Sequence, residues 1–492
     1  MAAPGVERQT RGKPLGHRQV APIEKSPGLT ESERLLADLC QHTFLSLWSY
    51  PNLFRAPGQE LCDVLVVFDE HLIIFSDKSC KFPDTGDAGL DWMRWYDRAI
   101  DRSARQVFGA ERWIKTQPDR IFLDAACTKR FPLKLPDPAK LRVHRVVVAL
   151  NAGERCKAYF GKDGLHGGSG SLMFLPALSG KADPARPFAV GTVYPDRGLV
   201  HVLDDFTLHV LMKELDTISD LTSYLSKKEA FIAADGLALS HGEEELLCYY
   251  LFGDGSGERG FFLREDHQVV VESGHWEGIS THPLYLAKKE VDRVSYGWDT
   301  LIETFGRQYL NDTLLVGGNE DINDFQAGLA IMAKMPRAAR RWLANSFKEH
   351  LANCHRRGLA RGQAYSRFIE WGDVGYVFEV MDAPPKARMS EVADAEFRLQ
   401  RRIMAQAACL TKKAQYPSLA HVVGIACEST LVGGRPIDLV YFDVGKMSEA
   451  DIAELRQEVT RAGMPPKPLE PARTAGNRKQ RRAMRAAARK KS

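Results

Sequence analysis

No apolar run in the 492 residues is long enough to form a bilayer helix, and the first residues lack the apolar centre of a secretion signal. Neither a membrane-spanning nor an exported chain is expected. The nine cysteines are scattered from Cys40 to Cys427 without a CxxC pair, which argues against a zinc ribbon or a disulfide framework. Reduced thiols in a cytoplasmic protein fit that pattern. There is no GxxxxGKS/T phosphate loop, so nucleotide hydrolysis is not expected. The run Gly167-Gly168-Ser169-Gly170 lacks the strand–turn–helix setting of a dinucleotide site and reads as a linker. Internal repeats are absent too.

What is present is an ordinary globular composition, 44% hydrophobic and 26% charged, in a chain too long for one core. Its net charge of +4 hides an asymmetry. Nine Lys or Arg and no acid lie between Arg473 and the end, leaving 58 basic against 63 acidic residues elsewhere. A cationic tail on a mildly acidic body is suited to tether a polyanion, most simply nucleic acid; a merely solubilising tail is the other reading.

The chain divides by composition and periodicity. Residues 1–28 mix Pro, Gly, Arg and Gln without period and are expected to be disordered. A first unit, 29–165, opens with a helix at Thr30, continues through a strand around Tyr50–Arg55 and β runs at Asp63–Phe68 and His71–Lys78, then a helix from Asp91 to about Glu111 and a strand at Val143–Leu150. A second α+β unit, 184–310, is expected to hold a hairpin, Phe188–Tyr194 with Gly198–Leu203, and one amphipathic helix over Thr207–Ile232. A third α+β unit, 323–464, should contain a helix to about Arg357, a hairpin (Tyr365–Trp371, Gly375–Met381), a helix over Ser390–Ala414, strands at Ala420–Cys427 and Ile437–Val444, and a last helix over Ser448–Ala462. A Pro-rich linker and the basic tail fill 465–492. The second and third units carry no chemistry that their sequence names.

The stretch Leu61–Phe82, LCDVLVVFDEHLIIFSDKSCKF, is the most informative. Asp69-Glu70 is its natural turn, and a two- or four-residue loop there pairs Phe68 with His71 and sets Asp63 opposite Ser76. Alternation then projects Asp63, Ser76 and Lys78 from one face, with Leu65, Val67, Leu72 and Ile74 farther along it against a helix. A polar cluster closing an apolar hairpin is how a cation site is built on a buried sheet. Asp77 falls on the opposite face, unless a bulge at the strand end turns it inward. On the next helix Arg94, Arg98, Arg102 and Gln106 step by four along a ridge beside Trp92, Tyr96, Ala99, Ile100, Ser103, Val107 and Ala110, which should pack on the sheet. Such a row suits phosphates; a solvated face paired with Asp97 and Asp101 is the structural alternative.

These residues resemble the PD-(D/E)XK superfamily, also called restriction-endonuclease-like, most nearly its Mrr-like and NERD-like branches. Asp63 matches the family's Asp, and Ser76-Asp77-Lys78 occupies its acid-x-Lys segment, with Ser76 where a carboxylate is usual. The resemblance covers about a quarter of the chain. It implies an α/β and α+β multidomain fold: a restriction-endonuclease-like αβββαβ core followed by two smaller α+β units. It also implies a Mg2+-dependent nuclease acting on DNA, of the kind that serves restriction, defence or repair. On that view Asp63 and Glu33 bind the metal, Lys78 assists the water, and Asp77 or Glu33 completes the shell. Ser76, Arg98, Arg102 and Gln106 meet the substrate strand. Glu33 also fits a capping box with Thr30, and the two roles are compatible. The alternative is a catalytically inactive nucleic-acid-binding or scaffold protein on a nuclease-like fold. Among other constellations, His350 with Cys354 reads as ordinary helix surface, His267, His275 and His282 have no ligand spacing, and Asp204, Asp205, Asp216 and Asp220 read as acids around a helix start, with a second metal site as a lesser possibility.

Overall fold

The computed structural model describes residues 25–26, 28, 30–161, 169–253, 258–263, 267–311, 322–358, 363–382, 388–429 and 435–461. Most of the expected disordered segment 1–28, the Gly167-Gly168 part of the linker, the Pro-rich linker and the basic tail lie outside these residues.

The chain opens with α1 (Glu31–Trp48), capped by the expected box: Thr30 Oγ1 accepts from Glu33 N, and Glu33 Oε2 accepts from Thr30 N. A break at Leu45, with φ at 65°, turns its end into β1 (Ser49–Ala56). β2 (Gln59–Phe68) and β3 (His71–Ser79) form the expected hairpin; Phe68 pairs with His71 across a two-residue turn in which Asp69 takes the left-handed conformation. After α2 (Ala88–Tyr96), one wide π turn (Asp97–Asp101) and α3 (Arg102–Thr116), the chain returns as β4 (Arg142–Leu150). Part of the segment expected to be disordered is held down. Lys25 donates to the Ser49 carbonyl at 2.8 Å and lies over the Tyr50 ring, and Ser26 Oγ accepts from Asn52 Nδ2 at 2.9 Å. Edge strand β1 supplies those partners.

Next come α4 (Gly153–Phe160), β5 (Met173–Ser179), β6 (Ala189–Thr192), β7 (Val200–Leu203), α5 (Asp205–Glu214), α6 (Ile218–Ala233), β8 (Leu237–Ser240), α7 (Glu243–Phe252) and β9 (Val269–Val271). The expected hairpin of β6 with β7 does not form. Pro195–Arg197 winds a 3-10 turn, Gly198 leaves it at φ 95°, and the two strands part: β6 lies parallel to β5, while β7 lies parallel to β4. The first sheet therefore runs β1-β2-β3-β4-β7, and a second has the order β6-β5-β8-β9. The single helix expected over Thr207–Ile232 is also divided. Leu215 leaves helical geometry, and Thr217 caps a fresh start by accepting from Asp220 N.

The remainder comprises α8 (His275–Ser280), α9 (Pro283–Asp292), α10 (Tyr296–Leu310), α11 (Ile322–Ala333), α12 (Arg337–Arg357), β10 (Ala364–Trp371), β11 (Val374–Met381), α13 (Glu391–Gln415), β12 (His421–Cys427), β13 (Asp438–Asp443) and α14 (Glu449–Arg461). Pro336 splits the expected 323–357 helix, because an extended proline with no N–H ends one helix and opens the next. The third sheet runs β10-β11-β12-β13. One hydrophobic core extends from Leu36 through the first sheet to Trp298, Tyr376 and Leu439. The architecture is mixed α/β and α+β with three sheets. All nine cysteines are free, and no helix among the described residues is long and apolar enough to cross a membrane.

α1 and α3 flank opposite faces of the first sheet. Phe75 meets Phe44 of α1 with ring centres 6.2 Å apart, whereas Ser76, one residue on, reaches Gln106 of α3.

Candidate active site

The site begins where the first sheet forks. The β2–β3 ladder stops at Val64–Phe75, yet β2 stays paired with β1 down to Gln59 and β3 stays with β4 up to Ser79. Asp63 and Ser76–Lys78 are the first residues inside the gap. There Asp63 Oδ2 accepts the Asp77 backbone N–H at 2.6 Å, so a carboxylate occupies the place where strand pairing ends.

Alternation holds on β3, and no bulge interrupts its ladder with β4. Ser76, fully buried, donates to Gln106 Oε1 at 3.1 Å, while Asp77 turns toward α1 and takes a hydrogen bond from the Ser32 hydroxyl. Glu33, half-buried one residue on, raises the carboxyl pKa of both Asp63 and Asp77 by its charge, and Lys78 lowers both. The four residues expected at the centre, Glu33, Asp63, Asp77 and Lys78, thus share one electrostatic environment. Lys78 is half-buried and has no ion-pair partner among the described residues. Ser32 is the member that the sequence reading missed; its place in the Thr30–Glu33 box was the available signal.

Burial dominates the charge balance. Asp63 is 3% exposed, and its carboxyl is pushed up to about 6, mainly by desolvation, against the pull of Lys78 and the Asp77 N–H. Desolvation raises Asp77 as well. Asp77 Oδ1 is buried without a hydrogen-bond partner among the described residues. Three oxygen-bearing acids, one with an orphaned oxygen, make a donor set suited to a hard divalent cation, so the residues fit Mg2+.

A stability test follows from these shifts. Between the ordinary carboxylate range and pH 6, folded Asp63 holds a proton that the unfolded chain has lost, so its contribution to stability falls as pH rises through that window. Above pH 6 the folded protein carries a buried charge. Asp63→Asn keeps the oxygen that accepts from Asp77 N and removes that charge. In metal-free buffer at pH 7 it should stabilise the protein by on the order of 1–3 kcal/mol in urea denaturation, and the gain should vanish near pH 4. An unchanged or lower midpoint at pH 7 would contradict the assignment of strain to this carboxylate.

The helix over the Ser76 face carries the basic row. Trp92, Tyr96, Ile100 and Ala104 are all buried at four-residue steps. A regular α-helix would drift about 40° per such step. The wide turn at Asp97–Asp101 absorbs that drift, and it keeps Arg94, Arg98, Arg102 and Gln106 aligned for the same reason. Arg94, Arg98 and Arg102 line a groove of about 900 Å³ with Lys81, Phe82 and Met93, and Asp84 and Asp97 are its acids. The paired-face reading holds in part. Arg102 meets Asp97 at 3.3 Å, and Arg105 pairs with Asp101 and Asp97. Arg98 instead donates to the Lys81 carbonyl at 3.2 Å and to the Arg94 carbonyl at 3.1 Å.

The other constellations resolve as structure. His350 and Cys354 are buried rather than surface residues, with His350 Nε2 at 3.0 Å from the Tyr365 carbonyl, because α12 packs on the third sheet. Asp204 caps α5, Asp205 accepts from Asn151 N, and Asp216 and Asp220 bond to Arg337. The chain matches no protein-family model, no curated protein and no solved structure, so its function is argued from this geometry alone.

Proposed function

We propose that the chain is a magnesium-dependent nuclease hydrolysing phosphodiester bonds in DNA, on a restriction-endonuclease-like core of the PD-(D/E)XK kind. The reading is supported by the fork between β2 and β3, where Asp63 accepts the Asp77 N–H and feels the charges of Lys78, Asp77 and Glu33, while Lys78 closes no ion pair among the described residues. The order α1, β1–β3, α2–α3, β4 supports it. Asp63, Asp77 and Glu33 would hold Mg2+, which when bound polarises a phosphate and lowers the pKa of a water. Lys78 orients the attacking water and steadies charge developing on the phosphate. Gln106 holds Ser76 and carries the site's edge toward the groove, where Arg98 and Arg102 take phosphates of the strand.

One observation favours the non-catalytic reading: Ser76 is neutral and engaged with Gln106 where a further acid would strengthen the metal site. Purified full-length chain with supercoiled plasmid separates the two. The nuclease nicks with Mg2+ and not with EDTA, and Asp63→Asn abolishes nicking. A binding module retains DNA in a salt-sensitive way, unaffected by Asp63→Asn and without nicking. In either case Arg98→Ala and Arg102→Ala should weaken retention uniformly across DNA sequences, each lowering the salt slope by about one. Absence of both nicking and retention would remove nucleic acid from the account.

A further inference from the structure

At the far end of β3, roughly 23 Å along the strand from Lys78, a second polar group crosses the first sheet. His71 opens β3, His144 lies on β4 beside Ile73, and His201 lies on β7 beside Val146. In parallel strands, register partners share a face, so all three imidazoles project on the Phe75 side. From above, Glu229 of α6 reaches down with one oxygen. Glu229 Oε1 is 2.8 Å from His144 Nδ1 and 3.0 Å from His201 Nε2. His144 Nε2 in turn lies 2.9 Å from His71 Nδ1, with the two rings stacked.

We propose that His144, His201 and Glu229 form a binding site for a divalent transition-metal ion of the zinc class. Their three ligand atoms lie within 4.8 Å of one another. A tetrahedral zinc with bonds of about 2.0–2.1 Å asks for separations of roughly 3.4 Å, so the side chains need only spread slightly around the ion. Two imidazoles and a carboxylate are a donor set of the right softness, unlike the all-oxygen set at the fork. Both histidines are almost fully buried. Glu229 is 31% exposed, so the cluster has one solvent-facing member. His71 is the outer partner of His144: with the metal on Nδ1, the His144 proton sits on Nε2 and donates to His71, while the His201 proton moves from Nε2 to Nδ1.

The test uses the full chain, stripped with EDTA and dialysed against micromolar Zn2+, with bound metal measured after gel filtration. One equivalent should be retained, also in Asp63→Asn, and Co2+ in its place should give the intense visible absorption of a four-coordinate site. Glu229→Gln, which can still accept from both imidazoles and so leaves the fold intact, should lower the affinity at least about 10-fold, and His201→Ala about 100-fold or more. His71→Phe should lower it about 10-fold. No retained metal in the wild-type chain, or equal affinity in Glu229→Gln, would overturn the proposal.

Discussion

If the chain nicks DNA as proposed, replacing Lys78 with Met should lower the rate of plasmid nicking by about 10²–10⁴-fold at saturating Mg2+, while DNA affinity should change less than about tenfold. The split follows from where Lys78 stands. It sits inside the fork with Asp63 and Asp77 as its charged neighbours and no ion pair among the described residues. A lysine that merely balanced those carboxylates would be expected to close an ion pair with one of them. On the proposed reading it serves a water and a phosphate, and its loss should fall on the chemical step. Lys78→Arg should not restore the rate, since a broad planar guanidinium cannot take the place of a compact ammonium beside the water. Single-turnover cleavage with enzyme in excess separates chemistry from binding. A Lys78→Met enzyme that cuts within threefold of wild type would remove Lys78 from the mechanism.

The second large effect is on stability. Arg337→Met should destabilise the protein by about 3–5 kcal/mol in urea denaturation, against less than about 0.5 kcal/mol for the exposed Arg356→Met. Arg337 is 5% exposed and is held from several sides. Its Nε donates to Asp216 Oδ1 at 2.8 Å, its Nη1 to Asp299 Oδ2 at 2.6 Å, its Nη2 to the Asp216 carbonyl at 2.7 Å, and its backbone N–H to Asp220 Oδ2 at 2.9 Å. Arg340, 1% exposed, donates to the other oxygen of Asp299 at 2.6 Å. Removing one guanidinium strands Asp216 without its cation and leaves Asp299 with one of two, and an uncompensated buried charge costs more than the pair contributed. Asp216 joins α5 to α6, Asp299 is on α10, and Arg337 begins α12. The cluster therefore fastens the helices over the first sheet to those under the third. Adding Asp216→Asn to Arg337→Met should recover part of the loss. A full additive penalty instead would show that the two residues act independently.

Local chemistry explains what could be read from the chain alone. The β2–β3 hairpin was legible because a two-residue turn and strict alternation leave one register, and that register brought Asp63 next to Ser76–Lys78. The box at Thr30 and Glu33 was legible for the same reason, since both partners lie within one helical turn. Long strands and helices near the C-terminus, from β10 to α14, follow the periodicity closely. The failures have physical causes of another kind. Thr217 and Pro336 cut helices whose apolar stripe runs straight through the break, so the stripe alone reads as one element. β7 pairs with β4 rather than with its neighbour in sequence, a choice made by tertiary burial. The histidine row was invisible because its members come from separate strands: His71 and His144 are 73 residues apart, and Glu229 lies 85 beyond His144.

The wide turn at Asp97–Asp101 makes this stretch more sensitive to length than to composition. It holds one residue more than a regular helix needs there. That one surplus residue is absorbed, but a second, inserted for instance after Ala99, would swivel everything upstream by roughly 100°. Trp92 would leave its place against Phe188, Tyr96 would lose the Gly180 carbonyl, and Arg94 would point away from the line of Arg102 and Gln106. A shift of frame by one amino acid would thus uncouple the cationic track from the forked sheet while altering no side chain in either.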